Sequence, residues 1–353
     1  MGTISYGGAI ALSFIGGFLA AIVIISIIAF TTLRMSDAYG LGHWKLNVKM
    51  PLSTMWMNLG YWTDEEGQEI KDFETACANL LKQILVTAGL SAGTQQTSFT
   101  SLAVLDLGFG CGDQTFELIR LTRPSGGFDN FSYVGLTLNQ DQLGAASRNL
   151  TRKLVDSTFV ANFPDERLEL FCADAARPEA WDAKVYGSVA ELADVKKYQQ
   201  RWLLALDCLY HFKPSRKPVL EHAAKKLSVN IMAFDLVLRE DASTTEVLLA
   251  RAIGVMMGCP FKTFLTEKQY RAQLEQCGYH NQHIIIKDIS PHVFPGVVGF
   301  LDRQDRALSE YGISLGGYKL AGRLFDWFGN SGVLRASIVV AKTGIQTGEP
   351  TKT

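Results

Sequence analysis

The chain has 353 residues, and its 34 Lys and Arg stand against 35 Asp and Glu, a net charge of -1. That balance lacks the basic excess of a polyanion binder and argues against a nucleic-acid partner. The six cysteines form no Cys-x-x-Cys pair and no close cluster with histidine. This argues against a metal site or a disulfide framework, and for a reducing compartment.

From Gly7 to Thr32 the chain carries no charge. As a helix this segment is roughly 39 Å long, more than the ~30 Å hydrocarbon core of a bilayer. No Lys or Arg precedes it, whereas Arg34, Lys45 and Lys49 follow it. A cleaved signal peptide has a basic start and a shorter apolar run. Residues 1–34 are therefore expected to be an uncleaved transmembrane anchor. The positive-inside rule then places the rest of a single-pass membrane protein in the cytosol, at the endoplasmic reticulum in a eukaryote. Residues 35–100 form an N-terminal segment containing the aromatic stretch Met57–Trp62, "MNLGYW". Within it, Phe73, Ala76, Leu80, Leu81, Ile84 and Leu85 recur at helical spacing and predict a helix over 63–90.

From residue 101 apolar runs alternate with amphipathic stretches. Strands are expected at Ala103–Leu107, Tyr133–Thr137, Leu168–Cys172, Trp202–Leu206, Ile231–Leu236, His283–Lys287 and Ala336–Ala341. Helices are expected at Gln114–Leu121, Gln140–Leu154, Arg216–Leu227, Thr245–Met257 and Glu267–Cys277. This order predicts an α/β fold, a Rossmann-like, seven-stranded, mostly parallel sheet with helices on both faces. With the anchor it gives one transmembrane helix and one domain over 101–342, interrupted by an aromatic insert at 290–335. Residues 343–353 form a polar tail. Ligands of such sheets sit at the carboxyl ends of the strands.

The first strand runs into "VLDLGFGCGDQ", with Asp106 at its end and Gly108, Gly110 and Gly112 alternating behind it. Bare backbone lets a ligand approach closely. A dinucleotide fingerprint would need a small residue at Asp113, and an acid beside the loop suits a cationic ligand better than a pyrophosphate.

The pattern resembles motif I of the class I S-adenosylmethionine-dependent methyltransferases, and later stretches follow that family's order. "YVGLTLNQDQ" occupies the second-strand position, with Thr137 where most members carry a ribose-binding acid. This is similar to the tocopherol and sterol methyltransferases and the cyclopropane fatty acid synthases. In those, Thr137, Leu138, Asn139 and Gln142 would stand near the cofactor. "FCADA" would bring Asp174 and Ala175 to the adenine, and "ALDCLYHF" would bring Asp207 to the cleft at the end of the fourth strand. Tyr61 would close over the cofactor.

The resemblance implies S-adenosylmethionine as cofactor, with Asp106, Gly108, Gly110 and Gly112 around it. It also implies transfer of a methyl group to O or C of an acceptor. His211 is the expected general base and Asp235 its support, because a carboxylate on the far ring nitrogen would fix the tautomer. Tyr210 stands where the cyclopropane synthases have an acid, so their carbocation chemistry does not carry over directly. The anchor and the aromatic insert favour an apolar small-molecule acceptor: a lipid, sterol, prenyl compound or secondary metabolite. The rival reading is a non-catalytic membrane scaffold that retains the fold.

Overall fold

The computed structural model of the protein describes residues 21, 52–90, 99–123, 129–156 and 166–344. The chain divides into two compact units, Met1–Pro51 with Gln304–Leu315, and Leu52–Arg303 with Gly316–Thr353. Within the first unit the description covers little more than residues 304–315, which form the end of a helix and a turn. The second contains the sheet.

The sheet has seven strands in the order β3-β2-β1-β4-β5-β7-β6. They are β1 Ser101–Leu107, β2 Asn130–Thr137, β3 Glu166–Cys172, β4 Gln200–Leu206, β5 Asn230–Leu238, β6 Ile284–Asp288 and β7 Leu334–Ala341. β1 to β5 pair in parallel, and β7 runs antiparallel to both β5 and β6. Every residue of β1 and β5 is buried. That is why these strands read as largely apolar runs, broken only by Ser101, Asp106, Asn230 and Asp235: a parallel sheet covered on both faces needs apolar side chains on both.

The helices are α1 Phe73–Ala88, α2 Asp113–Thr122, α3 Gln140–Asp156, α4 Ala183–Glu191, α5 Lys217–Lys225, α6 Thr244–Met256, α7 Glu267–Cys277, α8 Ser290–Ser309 and α9 Gly317–Ser331. One apolar core gathers α1, α2, α6, α8 and α9 on one side of the sheet, with Leu80, Ile84, Phe264, Phe294 and Phe328 among its buried residues. A second gathers α4, α5 and α7 on the other, around Val185, Val189, Leu220, Tyr270 and Leu274. The α/β sandwich expected from the sequence is the observed one.

Three boundaries differ from expectation. The helix predicted over 63–90 begins only at Phe73, because Asp72 caps it by accepting from Thr75 N at 2.8 Å. Before it, Asp64 accepts from Gln68 N at 2.6 Å and closes a turn that brings Thr63 against Glu69. The insert at 290–335 is two helices, α8 and α9. Thr343, assigned to the tail, is buried, and its N–H donates to Asn230 Oδ1 at 3.2 Å. Among the described residues no helix is long and apolar enough to cross a membrane. The expected anchor, Gly7–Thr32, lies outside the described residues except for Ala21.

Candidate functional site

Strand order reverses between β1 and β4, and ligands of open α/β sheets bind at that switch point. An open cleft lies there. Its floor is the turn after β1, with Gly108, Phe109, Gly110, Cys111, Asp113 and Gln114, together with Leu206, Asp207 and Cys208 after β4. Gly108, Gly110 and Gly112 have φ of 75°, 63° and 91°. A side chain in that region costs about 1–2 kcal/mol. A Cβ on Gly108 would stand 3.2 Å from Cys208 Cβ, and one on Gly110 would stand 3.5 Å from Met57 Cε. Both of those neighbours line the cleft, so side chains at the two glycines would crowd the space a ligand needs.

The roof is Met55–Asn58. This strap is pinned at both ends by carboxylates on the floor. Met55 N donates to Asp113 Oδ2 at 2.9 Å, and Leu59 N donates to Asp207 Oδ2 at 3.0 Å. Asp113 also accepts from Lys153 Nζ at 2.9 Å and heads α2, where the helix dipole favours an acid. Beyond the strap, Trp62 N donates to His292 O at 2.7 Å and Tyr61 stacks on the His292 ring at 4.6 Å. The first turn of α8 therefore clamps the strap. Gly296, one turn on, packs so close to the Trp62 side chain that a Cβ would overlap it. Gly296→Ala is expected to destabilise the protein by ~1–3 kcal/mol through overpacking. It should also speed proteolysis between residues 55 and 63. An unchanged melting temperature and cleavage rate would show that the clamp is slack.

Asp106 lies beneath the floor rather than on it. It is 0 % exposed. Gln114 Nε2 donates to both of its oxygens at 2.8 Å, and the Tyr133 hydroxyl donates to Oδ2 at 2.6 Å. Burial lifts its pKa to about 6, against those hydrogen bonds. The expected direct contact between Asp106 and a ligand is therefore corrected. The acid holds Gln114, and Gln114 lines the cleft.

At the end of β2, the Thr137 hydroxyl donates to Gln142 Oε1 at 2.7 Å. That bond leaves the amide nitrogen of Gln142, a cleft residue, facing Met57 Sδ at 3.8 Å. Asn139 Oδ1 accepts from the N–H groups of Asp141 and Gln142 at 2.8 and 3.2 Å, so this side chain caps α3. Leu138 is 73 % exposed. At the end of β3, Asp174 Oδ1 accepts from Ala176 N at 2.9 Å and closes a local turn, while Oδ2 lies 3.6 Å from Arg177 Nε. Ala175 is buried. Gly108, Gly110, Gln142 and Asp207 are the predicted residues that meet in the cleft. Tyr61, Gly112, Thr137, Asn139, Asp174 and His211 are not among the residues that line it.

After β4 the chain turns sharply. Asp207, a non-glycine residue, has φ of 63°, and strain of this kind concentrates at functional sites. Tyr210 Oη donates to Asp207 Oδ1 at 2.5 Å. Burial lifts the Asp207 pKa to about 7, against the hydrogen bonds from Tyr210 and Leu59 N. A raised carboxyl pKa means that the folded state holds the proton more tightly than the unfolded chain. Its stabilising contribution is fully present below the unfolded pKa, near 4, and is lost as pH rises through about 7. Urea unfolding across that interval should show stability falling with pH, and Asp207→Asn should flatten the upper part of the slope. An identical slope in the variant would remove Asp207 as its source.

His211 ends the same turn. Its ring packs on Tyr210, with centroids 4.5 Å apart, and Nδ1 lies 3.5 Å from Cys259 Sγ. Partial burial, and secondarily Lys213, push its pKa below the usual histidine value. Asp235 does not take the supporting place expected for it. It is fully buried within β5, where Arg216 Nη1 binds Oδ2, Tyr270 Oη donates to Oδ2 at 2.8 Å, and Leu236 N donates to Oδ1 at 2.8 Å. The link to His211 is indirect: Arg216 also holds Thr263, and the Thr263 hydroxyl donates to Tyr210 O at 2.9 Å. Cys208 Sγ donates to Leu107 O at 3.0 Å, and burial raises its pKa well above the usual thiol value, so it is not a thiolate nucleophile.

Neither the clamp formed by Met55, Asp113 and Lys153 nor the tie from Leu59 to Asp207 is legible in the sequence. Both join residues more than thirty positions apart. The only local signal was an acid directly after the last glycine.

No protein-family model matches the chain, and no curated protein matches it in sequence. Solved structures do match it. The cyclopropane synthase MmaA2 from Mycobacterium tuberculosis superposes with a TM-score of 0.52 at 15% identity, over 82% of this chain and 90% of that one. The chain has the class I methyltransferase fold. Geranyl diphosphate C-methyltransferase from Streptomyces coelicolor A3(2), solved with Mg2+, geranyl diphosphate and S-adenosyl-L-homocysteine, gives 0.51 at 12% over 82% and 92%. The [4+2]-cyclase SpnF gives 0.51 at 16% over 81% and 87%. Identities this low establish the shared fold, and the reaction has to be argued from the site.

Proposed function

We propose that the protein is an S-adenosylmethionine-dependent methyltransferase acting on an apolar small molecule. The observation that carries this reading is the roofed glycine cleft at the switch point, in a fold of which one solved example holds S-adenosyl-L-homocysteine. The residues fit the cofactor: bare backbone at Gly108 and Gly110, the Gln142 amide, and the carboxylates of Asp113 and Asp207 facing a cationic ligand. When bound, the cofactor supplies an electrophilic methyl group on its sulfonium.

The protein's own groups do the rest. The strap Met55–Asn58 covers one side of the cleft, and Asp113 and Asp207 hold it in place. Asp106, through Gln114, fixes the floor. His211, kept neutral at pH 7 by its lowered pKa, accepts the proton that an acceptor hydroxyl or carbon loses. Apolar acceptors are supported by the aromatic helices α8 and α9 and by the neighbour named for geranyl diphosphate, a prenyl compound. The charge-free segment Gly7–Thr32 supports a membrane anchor, with the domain of residues 101–342 on the cytosolic side.

Isothermal calorimetry with S-adenosylmethionine tests the site, and release of label from its methyl group into a membrane lipid extract tests the reaction. A folded protein that gives no binding heat would overturn the reading. SpnF carries a different chemistry on this fold, so binding without transfer to any extract would favour a non-transferring relative, including the scaffold. Gly110→Ala is expected to weaken cofactor binding, because its Cβ would stand 3.5 Å from Met57 Cε inside the cleft, while the left-handed backbone should cost about 1–2 kcal/mol of stability, read by urea denaturation.

A further inference from the structure

Helix α6 is apolar on both sides. Ala250, Ile253 and Gly254 face the core. On the opposite side Leu248, Leu249, Val255 and Met256 are 48–72 % exposed, with Ala252 exposed between them. Their spacing of i, i+1, i+4, i+7 and i+8 makes one continuous stripe along the helix. Phe261, 46 % exposed, extends it past the helix end. A soluble surface rarely carries such a stripe without a partner.

Its charges are one-sided. From Val247 to Thr266 the chain has two cations, Arg251 and Lys262, and no acid. The Arg251 guanidinium lies over the Phe261 ring, 5.7 Å from its centroid, and its Nε has no hydrogen-bond partner. An apolar stripe edged by cations, one of them lying over an aromatic ring, is the pattern of a helix seated in the interface of an anionic bilayer. The same chain carries the charge-free segment Gly7–Thr32, which would tether it at such a surface. The stripe also leads to the candidate site, because Cys259, three residues beyond α6, touches His211.

We infer that the outer face of α6, with Phe261, Arg251 and Lys262, docks on an anionic lipid surface and turns the His211 side of the site toward it. The inference stands apart from the cofactor assignment, since calorimetry with S-adenosylmethionine reads that assignment alone. An apolar acceptor could then reach the protein without crossing water.

The test uses the full chain reconstituted in vesicles of phosphatidylcholine and phosphatidylserine. A spin label is placed at Met256→Cys, in a chain whose one exposed cysteine is removed by Cys172→Ser. Leu249→Cys is a second site, and Val195→Cys, exposed on another part of the surface, is the reference. At 256 and 249 the label should be more accessible to oxygen than to a water-soluble nickel complex, with the reverse at 195. Removing each cation, by Arg251→Gln and Lys262→Gln, should lower the ratio of docked to free domain about fivefold, and phosphatidylcholine alone should do the same as removing both. Labels at 256 and 249 as water-accessible as the one at 195 would overturn the inference. Shielding that follows protein density, with dipolar broadening between labels and no lipid dependence, would also overturn it and assign the stripe to a second copy of the chain. Circular dichroism separates either outcome from misfolding.

Discussion

His211→Ala is expected to lower methyl transfer ~100- to 10,000-fold, the usual contribution of a positioned general base, while S-adenosylmethionine still binds with wild-type affinity. The separation follows from the geometry. His211 does not line the cleft in which Gly108, Gly110, Gln142 and Asp207 meet, so removing its ring costs the cofactor no contact. It stands at the end of the turn that begins with Asp207, and Tyr210, which packs on it, is tied back to Asp207. The pH profile gives a second reading. Partial burial and Lys213 lower the His211 pKa, so the rate should climb with pH below about 6.5, level off before neutrality and lose that limb in the variant. Equal rates in the two proteins, or an unchanged acid limb in His211→Ala, would take His211 out of the mechanism. A loss of cofactor affinity as large as the loss of rate would make it a structural residue of the turn.

The sequence revealed the strands because a covered parallel sheet leaves little choice of residue. Val104, Leu105, Leu203, Leu204, Ile231 and Met232 are all fully or almost fully buried, and no polar alternation interrupts them. The glycine turn was legible for a related reason: three positive φ angles in five residues narrow the residue choice almost to glycine. Helix α4 was missed because its nine residues bury only Val185, Ser188 and Val189, too few to set a period. Proline at 295 and scattered aromatics hid α8, whose role depends on Gly296 and His292 meeting a strap more than two hundred residues earlier in the chain. The roles of the acids were harder still to read. A carboxylate at a strand end can line a cleft, as Asp207 does, cap a turn, as Asp174 does, or sit under the floor, as Asp106 does. The partners that decide between these, Leu59, Ala176 and Gln114, are only partly local. The reassignment of Asp235 comes from the same source, since nothing in "MAFDLVL" points to Arg216 and Tyr270.

That reassignment carries the largest expected effect on stability. Arg216 is 2 % exposed and Asp235 0 %, and the pair is completed by Tyr270, whose ring lies 4.8 Å from the guanidinium carbon. Arg216→Met would strand an unpaired carboxylate between β5 and α7, and breaking a buried pair in this way costs ~3–5 kcal/mol. Replacing both members is a different matter. Arg216→Met with Asp235→Leu removes the two desolvation penalties together and should recover most of the lost stability. The difference between the double variant and the sum of the singles is the coupling between the two groups. Urea denaturation of the four proteins measures it, and strictly additive losses would show that the pair is not coupled. Recovered stability need not restore activity, because Arg216 also binds Thr263, and Thr263 holds the backbone of Tyr210 next to His211. The double variant should therefore fold nearly as well as the wild type and bind S-adenosylmethionine, yet transfer methyl groups more slowly. A double variant with full activity would show that the turn carrying His211 is held by Asp207 and Tyr210 alone.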